Sequence, residues 1–96
     1  MTQVDNFVKT LFEQEKQLAF REIQDLINNN PFMMFIKGTL DTPKCKFTRR
    51  LVDTLKPKSY RNIKTFNILE DERIRQWLKF YTQWPTFPQV YVNGTF

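Results

Sequence analysis

The chain is predicted to fold as a single α/β domain. Three observations carry that expectation. Segments of helical spacing alternate with short apolar runs, and proline, glycine or asparagine punctuates the boundaries between them. One run, Phe32–Ile36, is apolar on both of its alternating faces, which places it at the centre of a sheet beside a parallel neighbour. The length, 96 residues with 41% hydrophobic side chains, suits one domain rather than two. Ten Phe, two Trp and three Tyr supply a core, and a disordered chain would carry fewer aromatics. A domain this short buries only roughly 60–65% of its unfolded surface, so every core element counts.

Taken in order, Val4, Phe7, Val8, Leu11 and Phe12 follow helical spacing, as do Leu18, Ala19, Ile23, Leu26 and Ile27. The polar run Glu13–Gln17 lies between the two groups. The reading is a core helix at 17–29, preceded by a helical extension over 1–16, with the domain proper spanning 17–96. Asn28-Asn29-Asn30-Pro31 ends that helix, and Phe32–Ile36 is the first strand. After the loop Lys37–Asp41, Thr42-Pro43 reads as an N-cap followed by proline at the first helical position. Phe47, Leu51, Val52 and Leu55 form the apolar stripe of this second helix, which Pro57 stops. Ile63–Ile68 is the second strand, with Phe66 and Ile68 on one face. Asp71-Glu72 open a third helix whose face is Ile74, Trp77, Leu78 and Tyr81, and Gln89–Asn93 is the third strand. The first strand–helix–strand piece is expected to be a right-handed parallel crossover. Asn93-Gly94 reads as a tight hairpin turn. A return strand would have to follow, so the sequence looks cut short at Phe96.

Absences narrow the chemistry. One Cys and no His exclude an internal disulfide framework, a zinc knuckle and any His-dependent triad. Gly38 and Gly94 are the only glycines, which excludes Gly-rich phosphate loops. No apolar run approaches the ~18 residues needed to span a bilayer, and the N-terminus lacks signal-peptide order. A single unpaired thiol suits a reducing compartment, so the expected location is cytoplasmic, with mitochondrial as the alternative.

The formal charge is 15 − 10 = +5, unevenly spread. Residues 1–36 hold three basic and five acidic side chains, whereas residues 37–64 hold nine basic and two acidic. That excess points to an anionic partner, although solvated helix faces would show the same count. Nucleic acid is not expected, because the aromatics sit mostly at core spacing rather than on an exposed platform.

Cys45 lies inside this basic half, just after a central strand and within the first turn of a helix. Unpaired N–H groups, the positive end of the helix dipole, and Lys44, Lys46, Arg49 and Arg50 all favour the reactive thiolate. A buried structural Cys is the competing interpretation, and the lysines on either side argue against it. Lys37 ends the central strand on the same sheet edge, where a lysine is usually only a solvated charge. Thr86-Phe87-Pro88 precedes the third strand. A cis bond at Pro88 would leave the Phe87 backbone free to pair with an extended ligand, but from the segment alone an ordinary trans loop is the better-supported reading.

Three segments, Phe35-Ile36-Lys37-Gly38-Thr39, Pro43-Lys44-Cys45-Lys46-Phe47-Thr48 and Trp84–Gly94, together resemble the monothiol glutaredoxins, in order and with suitable spacings from about residue 17 onward. The resemblance implies a thioredoxin-like fold of the glutaredoxin type, a mixed sheet with helices on both faces, lacking the last strand and helix. It implies glutathione binding and a [2Fe-2S] cluster bridging two protomers and two glutathiones. Carried over by position, Cys45 would be the active thiol and the cluster ligand, and Lys37 would pair with the glycine carboxylate of glutathione, assisted by Arg75. Thr86, Phe87, Pro88 and Phe47 would complete the glutathione site. The partners implied are glutathione, Fe–S acceptor proteins or protein thiols, and a second copy in a cluster-bridged homodimer. Two departures bear on this. Lys46 stands where the usual Cys-Gly-Phe-Ser motif has Gly, and the family's Gly-Gly turn with its Asp is absent.

Two further functions follow from the same residues. Thr48 stands where a dithiol relative has its second Cys, so a glutathione-dependent disulfide oxidoreductase would have to use a one-thiol cycle. A non-catalytic thioredoxin-fold interaction module is the third expectation.

Overall fold

The structure, a computed structural model, describes residues 3–55 and 62–96. Helix α1 spans Gln3–Asn29, strand β1 Phe32–Ile36, helix α2 Lys46–Leu55, strand β2 Ile63–Asn67, helix α3 Glu72–Thr82 and strand β3 Gln89–Val92. The strand order is β2-β1-β3. β1 runs parallel to β2, with Phe35 opposite Phe66, and antiparallel to β3, with Met33 opposite Tyr91. The doubly apolar run is therefore the central strand, as its composition requires.

Met33 and Phe35 point to one face, where Ala19, Ile23 and Ile27 of α1 and Ile74 and Leu78 of α3 pack against them. Phe35 is fully buried, and its ring meets Phe66 at 5.9 Å and Tyr91 at 5.7 Å. Burying one such side chain is worth roughly 1.5–3 kcal/mol. Met34 and Ile36 alternate to the opposite face and are also fully buried, and α2 turns Thr48 and Val52 inward. Helices thus cover both faces. The β1–α2–β2 unit is the parallel crossover expected from the element order, although the expected stop at Pro57 lies outside the described residues.

The structure departs from the sequence expectation at three points. First, no break separates residues 3–16 from 17–29, because α1 runs through Glu13–Gln17 without interruption. Those five residues are good helix formers, and a polar run on an exposed stretch of helix loses nothing. The first half of α1 extends past the sheet, so Val4, Phe7 and Val8 are mostly exposed and the molecule measures 58 × 25 × 19 Å. Phe12 and Phe20 are where α1 meets α3: their rings lie 5.0 and 6.1 Å from Trp77. Second, α2 begins at Lys46 rather than at Thr42-Pro43. Third, Phe47 is 54% exposed and does not join the core stripe of α2.

Other local expectations hold. Asp71 caps α3, its carboxylate accepting the Ile74 N–H at 3.0 Å. Asn93 and Gly94 both adopt positive φ, at 50° and 81°, as a two-residue hairpin turn needs. The Val92 N–H donates to the Thr95 carbonyl at 2.9 Å across that turn.

Candidate active site

The loop after β1 sets the position of the thiol. The Lys44 N–H donates to the Lys37 carbonyl at 2.8 Å, and Gly38 bridges Pro43. A turn over Thr39–Thr42 closes the segment, with the Thr42 N–H held by the Thr39 hydroxyl at 2.9 Å. This closure occupies Thr42 and Pro43, so the helix-start signal there is overridden. Gly38 has φ +95°, and a Cβ at this position would stand 2.4 Å from the Thr42 carbonyl oxygen, so only glycine fits. The Asn67 side chain accepts the Gly38 N–H at 2.9 Å and the Leu69 N–H at 3.1 Å, tying the loop to the end of β2.

Cys45 takes the N-cap position of α2. Its carbonyl accepts the Arg49 N–H at 2.9 Å, and its sulfur accepts the Thr48 N–H at 3.4 Å, as a Ser or Asp oxygen would. The Thr48 hydroxyl is fully buried, lies 3.3 Å from the Cys45 sulfur and accepts the Lys37 N–H at 3.3 Å. Lys37, Cys45 and Thr48 therefore form one unit. Partial burial raises the thiol pKa, but the Thr48 hydroxyl, the Thr48 and Phe47 N–H groups and the Lys37 charge outweigh it, and the net shift is downward from 9.0. The charge that acts most is that of Lys37, ahead of Lys44, Lys46, Arg49 and Arg50. Those four side chains are exposed, where water and salt screen them.

Two grooves meet near this unit. One, of about 680 Å³, runs from Thr42 and Pro43 past Cys45 along the outer face of α2. The other, of about 440 Å³, is lined by Phe47, Arg50, Thr86, Phe87 and Pro88. Arg50 belongs to both. The structure thus brings Phe47, Thr86, Phe87 and Pro88 together, and the Phe87–Pro88 peptide is cis. Gln89 holds this loop from beneath. Its buried amide donates to the Trp84 carbonyl at 3.2 Å and the Thr86 carbonyl at 3.3 Å, while its oxygen accepts the Tyr91 hydroxyl at 3.0 Å.

Arg75 stands apart. It lines neither groove, it pairs with Glu72 at 3.7 Å, and its Nε is buried without a hydrogen-bond partner among the described residues. Sequence reasoning overlooked Thr48, Gln89 and Asn67 as positioning residues. The available signals were Thr48 at the third helical position after Cys45, and Gln89 as a polar residue on an inward-facing strand position. Among the described residues, no group of three or more His, Cys, Asp or Glu could hold a metal ion, and no helix is long and apolar enough to cross a membrane.

The glutaredoxin family model matches residues 32–96, which include the loop, Cys45 and the cis proline. The chain belongs to the glutaredoxin family. Glutaredoxin 3 from Danio rerio is 46% identical over 72 residues, covering 75% of this chain and 22% of the relative. Monothiol glutaredoxin-4 from Saccharomyces cerevisiae is 44% identical over 82 residues, covering 85% of this chain and 33% of the relative. This glutaredoxin chain, whose single Cys makes it monothiol, therefore spans a third or less of the length of these relatives. Among solved structures, a reduced apo glutaredoxin from poplar aligns with TM-score 0.63 and 39% identity over 79% of this chain and 69% of that one. A buckwheat glutaredoxin–glutathione complex shares the fold, with TM-score 0.72 and 23% identity over 86% of this chain and 73% of that one.

Proposed function

We propose that this glutaredoxin binds glutathione beside Cys45 and uses that thiol for glutathione-dependent chemistry, with a dimer-bridging [2Fe-2S] cluster as its cargo. The observation that carries the reading is the half-exposed Cys45 sulfur at a helix N-cap, drawn toward thiolate by Thr48 and Lys37. Glutathione ends in carboxylates. Lys37 supplies a cation for the glycine end, and the groove of Phe47, Thr86, Phe87 and Pro88 supplies an apolar wall with backbone groups for the cysteinyl part. The glutathione complex of the buckwheat protein supports this reading at the level of a shared fold. Arg75 is proposed to assist Lys37 by turning its guanidinium from Glu72 toward the ligand.

The one-thiol cycle balances without a second Cys. Cys45 thiolate attacks the glutathione sulfur of a mixed disulfide, the S–S bond breaks, and the partner leaves as thiolate. A second glutathione thiolate then attacks the Cys45-bound glutathione, which restores Cys45 thiolate and releases glutathione disulfide. For a cluster, Cys45 provides one ligand. A [2Fe-2S] centre usually takes four thiolates, so the fit requires a second protomer and two glutathiones. The proposed compartment is the cytoplasm, where a lone thiol stays reduced.

The test is turnover of the mixed disulfide of glutathione and 2-mercaptoethanol with reduced glutathione. The chain should turn it over, Cys45→Ser should not, and Lys37→Ala should raise KM several-fold. Equal rates for the chain and Cys45→Ser would refute the thiol role.

A further inference from the structure

Charge on the outer face of α2 is arranged around the thiol. Lys46, Arg49, Arg50 and Asp53 recur at spacings of three and four residues, so they share one helical face, and Lys44 joins them from the loop. These five line the groove beside Cys45 with a charge of 4 − 1 = +3. The four cations are exposed, and they outnumber the groove's one carboxylate, Asp53, four to one. The Lys46 Nζ lies over the neighbouring Phe47 ring, 5.2 Å from its centre. An excess of cations on one face repels itself, and an anionic partner relieves that repulsion on docking.

We infer that this groove docks an acidic segment of a partner protein that flanks the partner's target cysteine. The inference rests on the thiol chemistry proposed for Cys45. Geometry sets a register. At a helical rise of 1.5 Å per residue, Arg49 and Arg50 lie roughly 6–8 Å along the axis from Cys45. An extended partner chain covers that distance in about two or three residues. The selected partners therefore carry Asp or Glu two or three positions from the cysteine that meets Cys45. Single-stranded nucleic acid fits less well, because it needs aromatic platforms among the cations and, among the described residues, no aromatic ring lines this groove. Docking itself makes and breaks no covalent bond.

The experiment uses the whole chain and three peptides, each bearing one cysteine as its mixed disulfide with glutathione. The first has two Glu at the second and third positions from the cysteine, the second has them about five residues farther away, and the third has Lys in place of Glu. The near-acid peptide should show a KM roughly tenfold below the Lys peptide and several-fold below the far-acid peptide. The advantage should fade as salt rises from about 0.02 to 0.5 M. Lys44→Glu with Arg49→Glu should reverse the preference. Equal KM for all three peptides, with the 2-mercaptoethanol disulfide still turned over, would overturn the docking surface and leave the thiol chemistry standing. Should that small disulfide not react, the thiol reading fails. Fluorescence anisotropy of the same peptides with serine for cysteine then decides docking alone, tighter binding of the acidic peptides supporting it and equal binding overturning it. A short single-stranded oligonucleotide that binds at least as tightly as the acidic peptide at equal salt would also overturn it, in favour of nucleic acid.

Discussion

Thr48 and Cys45, three residues apart, act as one chemical group. The Thr48 hydroxyl is the hinge of the arrangement, because it faces the sulfur while its lone pair holds the Lys37 N–H. Removing it should loosen both. Thr48, the N–H groups and Lys37 hold the pKa of Cys45 below that of a free thiol, so alkylation followed against pH should reach half its plateau at a lower pH than in an unstructured cysteine peptide. Thr48→Val keeps the shape and deletes the hydroxyl, so the midpoint should move up toward the free-thiol range, while Thr48→Ser should keep it low. A midpoint unmoved in Thr48→Val would assign the shift to the N–H groups and Lys37 alone. At this scale the reactive residue was legible from its setting, a lone Cys between lysines after a proline. The cause of its reactivity was legible only in part. The N–H groups at the helix start were anticipated and act, but the Thr48 hydroxyl was not, and the surrounding cations were credited as well, because counting charges along a chain ignores how far each side chain stands in water.

Elements here were legible where a local rule met no competitor. Asp71 caps α3 and Asn93-Gly94 turns the chain, both as their residue types require. Thr42-Pro43 obeys an equally good local rule and fails, because the pairing of Lys37 with Lys44 claims the segment first and passes the cap to Cys45. Gln89 shows the same limit. Its amide reaches only five and three residues back, to Trp84 and Thr86, yet the residue type alone does not choose these carbonyls over water; the register of β3 on β1, which turns Gln89 inward, does. Gln89→Leu should therefore cost more than an exposed polar change. It leaves two loop carbonyls and the Tyr91 hydroxyl without their partner, and a buried unsatisfied group costs about 1–3 kcal/mol. Urea unfolding should show a loss of that size. In the same variant KM for the glutathione mixed disulfide should rise, because the Thr86–Pro88 wall is no longer held. A variant as stable as the parent would show that the amide contributes nothing to the loop.

The whole molecule divides into a packed body and an extension. Ile23 is fully buried between α3 and the sheet, whereas Val4, Phe7 and Val8 stand mostly in water on the same helix. Ile23→Ala should cost about 3 kcal/mol in urea unfolding. Removing residues 1–11 should cost about 1 kcal/mol or less, since the Phe12–Trp77 contact survives. A larger loss would make the extension part of the folding unit. Assembly around the proposed cluster would be decided at the thiol. With one Cys per chain, a [2Fe-2S] cluster has to be shared by two protomers and completed by two glutathiones. Lys46 adds bulk and charge beside the thiolate where the family motif has Gly, and like charges from two chains would face each other there. Anaerobic reconstitution with iron, sulfide and glutathione, read by visible absorbance and gel filtration, should give a coloured dimer that Cys45→Ser abolishes. Lys46→Gly should bind cluster at least as well as the parent, and raising salt should narrow the difference by screening the two lysines. A coloured monomer formed without glutathione would contradict the shared-ligand arrangement, because a single thiolate per chain leaves the other positions unfilled.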